Sequence, residues 1–141
     1  EIESELYAIL SACFGLSAET NLFRAASHGI KSGKMIEKAL ELDSNNSFNN
    51  MIKGVGDYTR PAFAGGSKSR ATTYLKKAID LSKSNNDRQS TLVIAIASFH
   101  LANIAFQQRE FDISSQYLDR SLEIAPTYKK AKNLKAKLSR N

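Results

Sequence analysis

At 141 residues, with 42% hydrophobic and 24% charged side chains, the chain has the size and composition of one globular domain. Two prolines and seven glycines argue for an all-helical chain over a β-sandwich, and a lone cysteine excludes an internal disulfide or a cysteine-built metal site. The net charge of +6 is local: residues 127–141 hold six cations and no acid, and the other 126 residues are formally neutral. No apolar run approaches the ~20 residues that span a bilayer, so no transmembrane segment is expected. The chain opens at Glu1 without a methionine, as either an excised domain or a processed mature chain would.

The first predicted helix runs from Ile2 to Phe14, with Ile2, Leu6, Ile9, Leu10 and Cys13 inward. Glu1, Glu3 and Glu5 occupy its first turns, where carboxylates complement the dipole. That pattern makes Cys13 a buried, inert thiol. Gly15 is expected to break the helix and Ser17 to cap a second one, Ala18–Leu42, with Leu22, Phe23, Ala26, Ile30, Ile36 and Leu40 as its stripe. Gly29 and Gly33 within it read as close-packing positions. A third helix carries Phe48, Met51, Ile52, Val55 and Tyr58 and ends at Arg60-Pro61. The tract RPAFAGGS is a loop, and Ser67 caps a fourth helix, Lys68–Leu81, with Ala71, Leu75, Ala78, Ile79 and Leu81 inward. A long fifth helix, Arg88–Gln107, is followed by a sixth, Phe111–Ile124. The last, Thr127–Leu138, sets Tyr128, Ala131, Leu134 and Leu138 on a narrow stripe, so it caps the domain and turns Lys129, Lys130, Lys132, Lys135, Lys137 and Arg140 to water.

Two apolar faces joined by the short break at Gln108–Glu110 cannot bury each other alone and must stack on similar neighbours. From Ala95 to Tyr128 the spacing resembles a tetratricopeptide repeat, a helix pair of about 34 residues. Leu101-Ala102 match its Leu-Gly pair, Phe111 its loop aromatic, Leu122-Glu123-Ile124 its late L-E-L and Pro126 its closing proline. Ser114 and Ser121 stand where the family has alanine, and serine is small enough for the same close approach. The closing motif recurs at Ala39–Leu42, Ala78–Leu81 and Ser121–Ile124, at separations of 39 and 43 residues. The excess lies in the RPAFAGG loop and in an extension, Asn86–Ile94. The resemblance implies an all-α, right-handed superhelical stack of three degenerate pairs, about 1–46, 47–85 and 86–126, with a capping helix at 127–140.

Little catalytic chemistry is encoded. His28 and His100 are over 70 residues apart with no metal-ligand spacing around them, and each reads as a polar or semi-buried helix residue. Gly65–Ser69, GGSKS, lacks the spacing of a phosphate loop and follows no strand. No catalytic residue, metal site or cofactor is expected, and the chain reads as a non-enzyme.

The resemblance places a partner site on the concave surface, formed by the first helix of each pair. With Val55-Gly56 matched to Leu-Gly, the second repeat contributes Asn50, Lys53, Asp57 and Arg60. The third contributes Ile96, Phe99, Asn103 and Phe106. Charges on one repeat and apolar rings on the other suit a peptide or a partner protein's helix, with homo-oligomerisation left open. Packing of Phe99 and Phe106 against neighbouring elements is the competing reading. Asp57 departs from the carboxylate-clamp pattern, so chaperone tails are not expected. The tract from Tyr58 to Leu81 is also similar to one in the T-component family of TRAP-type periplasmic transporters. That likeness implies a bacterial periplasmic, lipid-anchored accessory protein, and leans the localisation towards the periplasm. The terminal cations allow a third reading, an anionic surface or nucleic acid, but no aromatic is interleaved among them for base stacking, so nucleic acid is not favoured.

Overall fold

The computed structural model describes residues 2–20, 23–85 and 87–140. The expectations for Glu1, Leu22 and Asn86 lie outside the described residues. Seven α-helices follow in order: α1 (Ile2–Thr20), α2 (Ala25–Leu42), α3 (Ser47–Thr59), α4 (Lys68–Ser82), α5 (Arg88–Gln107), α6 (Phe111–Ile124) and α7 (Lys129–Leu138). A short 3₁₀ turn, Ala62–Ala64, lies between α3 and α4, and no strand occurs among the described residues. Three starts are set by side-chain caps: Asn46, Ser67 and Asp87 accept from the backbone N–H of Asn49, Arg70 and Ser90.

The helices form three antiparallel hairpins, α1–α2, α3–α4 and α5–α6, each resting on the next, with α7 against α6 and α5. The α5–α6 pair shows how its serines fit a close helix approach. Ser114 and Ser121 are fully buried, and their hydroxyls donate to the Ala102 and Ala95 carbonyls of α5 at 2.9 and 2.8 Å. A small side chain keeps the backbones close, and its oxygen is satisfied there. The main core joins α3, α4 and α5 around Met51, Ala71, Leu75, Ala78, Val93 and Leu101. A second cluster holds Phe99, Ala102, Leu118, Ala131 and Leu134, with Tyr128 and Leu138 packed on it, so the α7 stripe is buried as expected.

The first hairpin corrects the sequence reading. Helix α1 passes through Gly15 to Thr20, and Ser17 lies inside it, bonded to His28 Nδ1 at 2.8 Å instead of capping α2. Its inner face is Ser4, Ala8 and Ser11, while Ile2, Leu6, Ile9, Leu10 and Cys13 are exposed. The small side chains win because they let α2 approach: Ser11 Oγ donates to the Ser32 carbonyl at 2.9 Å, and a Cβ on Gly15 would meet Ser32 Oγ at 3.5 Å. In α2, Ile36 and Ala39 are buried, but Ala26 and Ile30 face solvent, as does Phe23 in the turn before it. Gly29 and Gly33 are not close-packing positions, since a Cβ on either would meet nothing within 4 Å.

Helix α5 also modifies an expectation. Among the described helices it alone is long and apolar enough to cross a membrane by composition, with mean hydropathy 1.4, and 56% of that stretch is buried in this core. It is the central packing element.

The register of α3 is set by Gly54. A Cβ there would lie 2.7 Å from Leu75 Cγ and 3.1 Å from the Leu75 backbone nitrogen, whereas one on Gly56 would meet nothing within 4 Å. Gly54→Ala is therefore expected to destabilise the domain by more than about 1 kcal/mol, while Gly56→Ala stabilises it by about 0.5–1 kcal/mol through helix propensity. Urea unfolding of both variants checks this, and the opposite order would restore Val55-Gly56 as the close-approach pair.

Candidate partner-binding surface

Helices α1, α3 and α5 lie side by side and run the same way. At their starts, Glu5 Oε1 accepts from Asn46 Nδ2 and from Gln89 Nε2, both at 2.9 Å. Near the ends of α3 and α5, Gln107 Nε2 donates to the Tyr58 hydroxyl at 3.0 Å. Between these ties, Leu92, Ile96, Asn103 and Gln107 recur along one side of α5. Leu92 is 52% exposed, Gln107 is exposed, and Ile96 and Asn103 are half-buried. Ile52, Val55 and Thr59 of α3 stay partly or wholly open, which makes the face mixed apolar and amide in character.

A ladder of rings fixes the floor. His100 meets Tyr58 edge-on at 5.4 Å and Phe99 at 5.1 Å, and Phe99 meets Tyr128 at 5.0 Å. The ladder thus ties α3, α5 and the entry to α7. His100 Nδ1 has no hydrogen-bond partner among the described residues. Burial, reinforced by the Lys130 charge, pushes the His100 pKa down to about 4, so the ring is neutral at pH 7. Burial raises the Tyr58 hydroxyl above its ordinary value, partly offset by the bond from Gln107.

The eight residues expected on this face do not stay together. Ile96 and Asn103 are on it, with the Asn103 amide bonded to the Phe99 carbonyl at 3.1 Å. Phe99 is 7% exposed and sits in the core beside α7, and Phe106 packs on Phe111 at 5.7 Å. The α3 group lies elsewhere. Asn50 is fully buried and donates to the Ser44 and Asn46 carbonyls at 2.9 and 2.7 Å, while Asn49 donates to Ala39 and Asp43. Both amides tie down the α2–α3 turn. Lys53 pairs with Glu37 of α2 at 2.7 Å. Asp57, 1% exposed, lies 3.3 Å from Arg70 Nε, 3.7 Å from Lys53 Nζ and 3.9 Å from Arg60 Nη1.

This ion cluster braces the loop before α4. The Asp57 carbonyl accepts from Ser67 N–H at 2.8 Å, Arg70 also donates to the Gly65 carbonyl, and Gly65 turns through φ +86°. Gly66 N–H is spent on the Pro61 carbonyl at 3.0 Å. The match to the family motif put Gly56 at the close-approach position, which the structure gives to Gly54. Tyr58, His100 and Gln107 were missed as a group, because only the parallel α3–α5 arrangement brings them together.

No group of three or more His, Cys, Asp or Glu that could hold a metal ion lies together among the described residues. Comparison with models of known protein families and with curated proteins gives no match.

Two predictions follow from the charges. With a folded pKa of about 4 against 6.5 unfolded, neutral His100 contributes stability present in full above about pH 6.5 and lost as pH falls towards 4, up to about 3 kcal/mol. Urea unfolding at pH 7 and pH 4.5 should show this slope, and His100→Gln should flatten it. Asp57→Ala leaves three cations without their shared carboxylate and frees the loop, and is expected to cost about 3 kcal/mol by thermal unfolding.

Proposed function

We propose that this chain is a non-enzymatic protein-interaction module of tetratricopeptide type. In this reading the three hairpins form a right-handed superhelical stack closed by α7, and the shared face of α3 and α5 holds an extended peptide or a segment of a partner protein. The observation that carries it is the row Leu92, Ile96, Asn103 and Gln107, left partly or wholly open on α5, the long apolar helix of the core. Apolar side chains along such a row bury alternate partner residues, and the Asn103 and Gln107 amides can pair with a partner's backbone. The ring ladder beneath keeps the row in one geometry, so little ordering entropy opposes binding. The serine-for-alanine positions of α6 support the family reading, because they preserve the close approach the repeat requires.

The test is selection of short displayed peptides on the intact chain, followed by anisotropy titration of the selected sequences. Ile96→Glu and Asn103→Leu are expected to weaken binding at least about tenfold, as loss of a central anchor does; because Ile96 also packs on the core, binding is compared at a temperature where circular dichroism shows each variant folded. Thr73→Glu, on the exposed side of α4, should leave it unchanged. Peptides that bind regardless of the α5 substitutions, or a failure to select any, would overturn this reading.

A further inference from the structure

We infer that the outer face of α1 docks a basic amphipathic helix of a partner protein, through a seam separate from the α3–α5 face. The seam is Ile2, Leu6, Ile9, Cys13 and Leu16, at alternating steps of four and three residues. That is the period of a two-stranded coiled-coil contact. Ile2 is 78% exposed, Leu6 55%, Ile9 47% and Leu16 63%, and Cys13 is exposed among them. Helix α1 cannot roll to bury this row, because its opposite side is occupied: Ser4, Ala8 and Ser11 are buried and Ser11 is bonded to Ser32.

The charge on α1 selects the occupant. Its described charged residues are Glu3, Glu5 and Glu19, all acidic, and Glu3 and Glu19 are exposed near its two ends. Lys31, an exposed cation of α2, lies 5.5 Å over the ring of Phe14, which is not part of the seam. A helix with an apolar seam flanked by lysine or arginine therefore matches both the period and the sign.

The same charges disfavour other occupants. A second α1 would bring acidic flanks against acidic flanks in either direction. The basic helix of a second copy, α7, has already buried Ala131 and Leu134 on its own core and has no free seam. An anionic membrane would be repelled by the glutamates.

The probes are two synthetic helical peptides with one leucine–isoleucine seam in four-three spacing, flanked in one by lysines and in the other by glutamates. The full chain should bind the lysine peptide at least about tenfold tighter than the glutamate peptide, with the preference shrinking at high salt. Bound lysine peptide should slow reaction of Cys13 with a thiol reagent. Leu6→Gln with Ile9→Gln should abolish binding while leaving the melting temperature unchanged, since both side chains are exposed in the fold. Equal binding of the two peptides, or of neither, would overturn the inference. So would a dimer in sedimentation, or flotation with zwitterionic vesicles, that is lost in the Gln variant. Peptide capture at the α3–α5 face is read separately with Ile96→Glu, which should not affect docking on α1.

Discussion

Close backbone approach within each hairpin is the constraint that orders this molecule. Gly54 against Leu75, Ser114 beneath Ala102, Ser121 beneath Ala95 and Ser11 against Ser32 are four instances of it. At such positions a larger side chain would force the helices apart, and dispersion contacts along the whole pair would weaken together. Serine adds a second property there. Its hydroxyl bonds a carbonyl of the facing helix, so a polar atom is buried without an unpaired group. Because the paired helices cannot separate or roll, the residues on their other sides are fixed too. Both the α3–α5 row and the α1 seam inherit their geometry from these contacts.

Much of this was legible in the sequence where size and apolarity point the same way. Helices α3 to α6 have apolar stripes that include their small residues, and the bounds of α5 and α6 fall where periodicity and the Gln108–Glu110 break place them. In α1 the two signals conflict. Leu6, Ile9 and Leu10 are the apolar residues, but Ser4, Ala8 and Ser11 are the ones narrow enough to meet α2. A reading that ranks side chains by hydrophobicity chooses the wrong side of such a helix. The α3 side of the candidate face carries a related ambiguity. Two glycines one turn-fragment apart offer two registers for α3, and only the position of Leu75 distinguishes them. On α5, where Leu101-Ala102 offers a single register, Ile96 and Asn103 lie half-buried on the candidate face.

The buried polar groups of α3 carry a different task from recognition. Asn49 and Asn50 satisfy carbonyls at the end of α2 and in the following turn, where helix geometry leaves acceptors without partners. Asp57 gathers Lys53, Arg60 and Arg70 and fixes the loop that returns the chain to α4. The charged side chains of α3 thus brace the loop between α3 and α4. In this chain the loop and the charges belong together: Asp57 with Arg70 orders the backbone that leads into α4.

The two outer helices of the stack then differ in a way that bears on association. Helix α7 turns its apolar stripe onto Phe99 and Leu118 and leaves lysines outside, so its end is closed to further stacking by charge and by lack of free apolar surface. Helix α1 does the reverse, spending small residues on its partner and leaving the large apolar ones outside between glutamates. Like ends would repel, and unlike ends lack matched apolar surface, because the α7 stripe is already buried. Opposite signs at the two ends therefore do not produce open-ended head-to-tail stacking of copies. The unmatched apolar row on α1 is complementary in period and sign to a basic amphipathic helix with a free apolar seam, which none of the described helices α2 to α7 offers.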